Sequence, residues 1–102
     1  MKMNRGEAID KVRAYRLLLQ DHFQLEGVYL YGAFASENYS GEGNIDVAVV
    51  VDRVRGDYFS VSPLLWQLRK KIDDRIEPVL IERAFDDVTF LKEVQRQGIE
   101  IA

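Results

Sequence analysis

Residues 28–51 decide the fold, and they read VYLYGAFASENYSGEGNIDVAVVV. The first four are aliphatic or aromatic, and Gly32 follows them, which predicts a short strand and then a tight turn. Ile45–Val51 is apolar at every position except Asp46, a pattern typical of a strand that is covered on both faces. Because burying an unpaired charge is costly, Asp46 favours a role in a functional site. The alternative is a strand-end acid paired with a lysine or an arginine.

The composition predicts one small globular domain over residues 1–102. The net charge is −3, so no general attraction to nucleic acid or to an acidic membrane is expected. The absence of cysteine excludes disulfides, thiolate nucleophiles and cysteine-based zinc sites, and it is consistent with a cytoplasmic protein. No signal peptide and no membrane span is predicted.

The pattern outside this segment predicts helices packed on a mixed sheet, so the predicted fold class is α/β (α+β). Apolar residues at three- and four-residue steps form one stripe along the first helix, and the short link between the first two strands predicts antiparallel neighbours. The first predicted helix covers residues 5–24, and Gly27 ends it. The second starts at Ser60 or Ser62 and has Pro63 in its first turn. The third covers residues 85 or 86 to 96. The predicted strands cover residues 77–81, where Pro78 indicates an edge or a strand start, and 99–101.

Three side chains are candidates for metal binding. Asn44 and Asp46 are two residues apart in a strand, so both point to one face, and oxygen ligands placed in this way can hold Mg²⁺. Glu77 begins the third strand, and a sheet of this type can bring it beside Asp46. The alternative for Glu77 is a solvated acid paired with Arg75 or Arg83.

The turn at Gly32 is a candidate for phosphate binding. Glycine lets backbone amides approach a phosphate, and a helix that begins in residues 33–36 would add a positive field. Taken alone, Gly32 is better explained as a turn residue only. Arg53 and Arg55 follow the Asp46 strand and could approach a triphosphate, although a solvated loop is the simpler interpretation.

This spacing resembles the signature of the minimal nucleotidyltransferases of the DNA polymerase beta superfamily, which is Gly-Ser, ten residues, then Asp-x-Asp. This chain matches that spacing without a gap: ten residues separate Gly32-Ala33 from Asn44, and one residue separates Asn44 from Asp46. The resemblance extends over the whole chain. It implies a nucleotidyltransferase-like fold and nucleotidyl transfer from ATP or another nucleoside triphosphate. It also implies phosphate binding at Gly32 and Ala33, and Mg²⁺ binding and catalysis at Asp46, Asn44 and Glu77.

The departures from this signature lie at the site itself. Ala33 replaces the family serine, Asn44 replaces the first aspartate, and Glu37 adds a negative charge where phosphates would arrive. Glu37 or Glu42 is an alternative replacement for the missing carboxylate. Losing about 3–4 kcal/mol of transition-state stabilisation slows a reaction a few hundredfold, so weak or lost transfer is predicted.

The resemblance also implies a partner. Members of this family often pair with a small helical HEPN-type protein, as the antitoxin half of a toxin–antitoxin pair. Three hypotheses therefore remain open: a divergent nucleotidyltransferase, a binding module that acts by contact with such a partner, and a structural or regulatory subunit related to a larger transferase.

Overall fold

The computed structural model describes residues 2–36, 39–85 and 89–102. In these residues, four strands form a mixed sheet and three helices pack on it, so the predicted fold class is confirmed. In chain order the elements are α1 Arg5–Leu19, β1 Gly27–Tyr31, a 3₁₀ turn Gly32–Ala35, β2 Ile45–Val51, α2 Tyr58–Arg69, β3 Ile76–Glu82, α3 Thr89–Gln97 and β4 Ile99–Glu100.

The sheet has the strand order β3-β2-β1-β4. β1 pairs antiparallel with β2, as the short link between them predicts. β3 pairs parallel with β2, which requires a crossover connection, and α2 supplies it. β4 pairs antiparallel with the other side of β1. The sheet is therefore mixed, and its central strands are the two that carry the signature.

Both faces of β2 are buried, as its apolar run predicts. Val47 and Val49 pack in the cluster that α1 and α2 cover. Ala48 and Val50 pack in a second cluster with residues of α3. Asp46 is the only residue of β2 that is not fully buried, and it lies near the start of the strand.

Two predicted helix boundaries are wrong. α1 ends at Leu19 rather than at residue 24, because the chain turns there and His22 and Phe23 both donate their amides to the Leu19 carbonyl. Gly27 is the first residue of β1 and does not end the helix.

The second boundary concerns the start of α2. The helix begins at Tyr58 with Asp57 as its N-cap, so Pro63 lies in its second turn. The Asp57 carboxylate accepts the Phe59 amide over 3.3 Å and the Ser60 hydroxyl over 3.3 Å. A carboxylate also matches the positive end of the helix, so the acid caps the helix in place of either serine.

The remaining elements agree with their predictions where the structure describes them. β3 is an edge strand, as Pro78 indicates, because proline has no backbone N–H to donate to a sheet ladder. Leu91 and Val94 of α3 are buried against the sheet. Phe85 lies in a turn rather than in the helix, and residues 86–88, where the predicted start of this helix falls, lie outside the described residues.

Within the described ranges, no helix combines the length and hydrophobicity that crossing a membrane requires.

Candidate active site

Asp46 and Glu77 are neighbours on one face of the sheet. They are paired in the parallel register of β2 and β3, and residues paired in this way present their side chains to the same face. Ala48, Val50 and Ile81 share that alternation and belong to the cluster packed with α3, so the two acids lie on the α3 side of the sheet. The register therefore brings together two residues that are 31 positions apart in the sequence.

Asn44 is bound to Glu77. Its side-chain amide donates a hydrogen bond of 2.8 Å to Oε1 of Glu77. An amide donor thus occupies the position at which the signature has its first aspartate. One oxygen of the Glu77 carboxylate is engaged by this donor, and position 44 adds no third carboxylate beside Asp46.

Gly32 packs directly against the Asp46 carboxylate. Its φ is +71°, in the region that side chains other than glycine adopt at a cost, and a Cβ placed there would overlap Oδ2 of Asp46. Two independent constraints therefore require glycine at this position. The interpretation of Gly32 as a turn residue alone is incomplete, because the turn and the acid occupy adjoining space.

Burial and like charge act together on Asp46. Asp46 is half-buried, and burial and then the Glu77 carboxylate raise its pKa. The pKa of Tyr31, which pairs with Asp46 across β1 and β2, is raised by burial and then by both carboxylates. Neither acid makes an ion pair with any residue that the structure describes. The site therefore holds two negative charges that the described side chains do not neutralise.

The ion pairs that the structural alternatives assign to the two acids are not formed with any described residue, although Glu77 is exposed at the start of β3, as its alternative expects. Arg75 donates to the Gly43 carbonyl over 2.9 Å and to the Gly41 carbonyl over 3.1 Å. Arg83 pairs with Glu26 and with Asp52. Both arginines that could have held Glu77 thus have other partners.

The donor set fits one divalent cation better than two. Mg²⁺ is usually held by one or two carboxylates together with waters and phosphate oxygens. Asp46 and Glu77 can provide the two carboxylates. A pair of ions needs a further bridging acid. Among the described residues, no group of three or more His, Cys, Asp or Glu side chains is placed to hold a metal.

The structure does not join the other predicted residues to these acids where it describes them. Glu42 lines a separate cavity with Lys2 and Lys11, and Glu37 lies outside the described residues. Ala33 is exposed in a 3₁₀ turn of four residues, which is too short to produce the helix field that residues 33–36 were expected to supply.

Sequence reasoning missed two residues of this site. Tyr31 precedes the glycine and faces both carboxylates, and its ring meets Phe90 edge-on with centroids 5.9 Å apart. Gln97, at the end of α3, lines a cavity of about 240 Å³ with Gly32, Ala35 and Ser36. The position of Tyr31 just before Gly32 is a signal that could have identified it, whereas nothing in the local sequence identifies Gln97.

No protein-family model and no curated protein matches this sequence. Its function must therefore be inferred from the residue spacing and from the geometry of the site. The acidic site is the group formed by Asp46, Glu77, Asn44 and Gly32.

Replacing Asp46 with asparagine is expected to stabilise the protein slightly at pH 7, by about a few tenths of a kcal/mol in the free energy of unfolding, because solvent screens this half-exposed carboxylate. Because the folded-state pKa of Asp46 is raised, its protonated form stabilises the fold below the unfolded pKa, and that contribution is lost as the pH rises through the folded pKa. Asparagine has the same shape and no charge.

Urea denaturation of both proteins at several pH values checks this expectation. The advantage of Asp46→Asn should disappear near pH 3, below the ordinary aspartate pKa of about 3.9. Asp10→Asn is the control, since Asp10 is exposed and paired with Arg13 over 3.2 Å. A gain for Asp46→Asn that persists unchanged at pH 3 would show that charge is not its cause.

Proposed function

We propose that this chain is a nucleotidyltransferase-like protein in which nucleotidyl transfer is weak or lost. The observation that supports this best is the hydrogen bond from the Asn44 amide to Glu77. In the chemistry that the resemblance implies, three acids hold two Mg²⁺ ions, which stabilise the attacking and leaving oxygens of the transferred phosphoryl group. Here two acids remain, and an amide engages one of them.

The remaining residues support weak binding of a nucleotide rather than its turnover. Asp46 and Glu77 would hold a single Mg²⁺, which supplies positive charge to the phosphate oxygens. Gly32 borders a cavity beside the turn, but Ala33 offers no hydroxyl to a phosphate there. The cavity beside Gly32 is about 240 Å³, below the range of about 300–1,000 Å³ that is usual for ligand sites, and no lysine or arginine lines it in the described part of the chain.

Calorimetric titration with ATP and Mg²⁺, combined with an assay for released pyrophosphate, tests this proposal. We expect a Kd in the millimolar range or weaker, which Asp46→Ala weakens further, and no pyrophosphate release above background. Asp10→Ala controls for a general change of surface charge. Micromolar, Mg²⁺-dependent binding that Asp46→Ala abolishes, accompanied by pyrophosphate release, would establish an active enzyme and overturn the proposal.

A second candidate function is a binding module that acts through a small helical HEPN-type partner. It is favoured by two exposed aromatic side chains, Phe59 at 81% and Phe85 at 70% exposure. Aromatic residues are enriched among the side chains that dominate binding at protein interfaces. Co-purification with the product of an adjacent gene for such a helical protein tests this function, and failure to form a complex counts against it.

A further inference from the structure

A second candidate site lies at the opposite end of β2 from the acidic site. It is a cavity of about 510 Å³ between the residues that follow α1, the loop after β2 and the first turns of α2. Val51, the last residue of β2, lines it, whereas Asp46 is near the start of that strand. Five residues of extended strand, about 16 Å, separate the two positions. The cavity is therefore distinct from the acidic site.

The floor of this cavity is apolar. Phe23, Val61 and Leu64 line it, and all three are partly buried side chains packed against the larger core cluster. Its volume lies within the range of about 300–1,000 Å³ that is usual for small-molecule sites. A floor of this kind binds the apolar body of a ligand.

Two arginines, Arg53 and Arg55, line the cavity together with one acid, Asp21, in a chain whose net charge is negative. Arg53 lies 3.5 Å from the Asp52 carboxylate and stacks on the ring of Phe85 at 5.5 Å. Arg55 makes no ion pair with any described residue. A guanidinium without an acidic partner is suited to bind a carboxylate or a phosphate through two parallel hydrogen bonds.

We propose that this cavity binds a small organic anion. Its apolar body would lie on Phe23 and Leu64, and its carboxylate or phosphate would contact Arg55, with Arg53 adding positive charge. Asp21 also lines the cavity and repels a second negative charge, so a carboxylate is expected to bind at least as tightly as a phosphate monoester. This site requires neither Mg²⁺ nor the acidic site.

Titration of the full chain with four compounds, followed by amide NMR, tests the proposal. Naphthoate and naphthyl phosphate carry both an apolar body and a charge, naphthalenemethanol lacks the charge, and inorganic phosphate lacks the apolar body. We expect naphthoate to bind with a Kd of about 1 mM or tighter and to shift the amides of Phe23, Val54 and Leu64. The two incomplete compounds should bind about tenfold more weakly. Tighter binding of naphthyl phosphate than of naphthoate would support the site and identify phosphate as its preferred group.

The matched variants are Arg55→Gln and Arg13→Gln. Both remove one charge from an exposed arginine, but Arg13 is paired with Asp10 on α1 and does not line the cavity. Arg55→Gln should weaken naphthoate binding about tenfold, and Arg13→Gln should leave it within about twofold. Equal binding of naphthalenemethanol, equal affinity in Arg55→Gln, or shifts that map away from the cavity would overturn the proposal.

Discussion

Replacing Gly32 with alanine is expected to lower the free energy of unfolding by about 2–5 kcal/mol. The left-handed conformation alone, at φ +71°, costs a residue with a side chain about 1–2 kcal/mol. The new methyl group would also overlap Oδ2 of Asp46, so the carboxylate or the turn must move, and overpacking of this kind costs about 1–3 kcal/mol. Urea denaturation measures the total.

Gly56 provides the matched control for this substitution. Its φ is +93°, and a Cβ built on it meets no atom within 4 Å, so Gly56→Ala reports the conformational cost without a collision. The difference between the two variants measures the contact between Gly32 and Asp46. If Gly32→Ala is no more destabilising than Gly56→Ala, the close approach of the turn to Asp46 does not contribute to the cost of the substitution.

A double-mutant cycle then assigns the collision to its partner. In an Asp46→Ala background the carboxylate is absent, so most of the additional cost of Gly32→Ala should disappear. Such coupling would mean that the glycine of the signature sets the position of the acid as well as the shape of the turn. A change at Gly32 would then alter the acidic site even where no phosphate is bound.

Much of the fold could be predicted from the sequence because the periodicity of its central elements is strong. The apolar run of β2 and the stripe of α1 each match one secondary-structure period, and both elements are buried as predicted. Helix ends were predicted less well, since they depend on single hydrogen bonds. Asp57 and Ser60 are both good capping residues, and only the three-dimensional path of the chain selects the acid.

The candidate site could be predicted only in part, because its geometry depends on strand register. The sequence indicates that Asn44 and Asp46 share a face, but the partner of Glu77 follows from the parallel pairing of β2 with β3. The hydrogen bond between Asn44 and Glu77 joins residues 33 positions apart and has no local signal. The same holds for the contact of Gly32 with Asp46, which forms because β1 and β2 are antiparallel neighbours.

Replacing Asn44 with aspartate is expected to strengthen Mg²⁺ binding in the acidic site. The change would convert the donor beside Glu77 into a third carboxylate, and each added charge strengthens the attraction for a divalent ion. We expect an increase of about tenfold or more in Mg²⁺ affinity, which corresponds to about 1.4 kcal/mol. Calorimetric titration of both proteins with MgCl₂ measures it.

The same variant should respond to metal in its stability. Without metal, a third like charge and the loss of the hydrogen bond from Asn44 should destabilise Asn44→Asp by about 1–2 kcal/mol relative to the original chain. Mg²⁺ binds the folded state and should restore this loss as its concentration rises above the Kd. Asn4→Asp is the control, because Asn4 likewise donates to a single glutamate, Glu7, over 2.7 Å. If Mg²⁺ raises the free energy of unfolding of Asn44→Asp no more than that of Asn4→Asp, the geometry of the acidic site does not suit a cation. The missing charge alone would then not explain the weak or lost transfer that we propose.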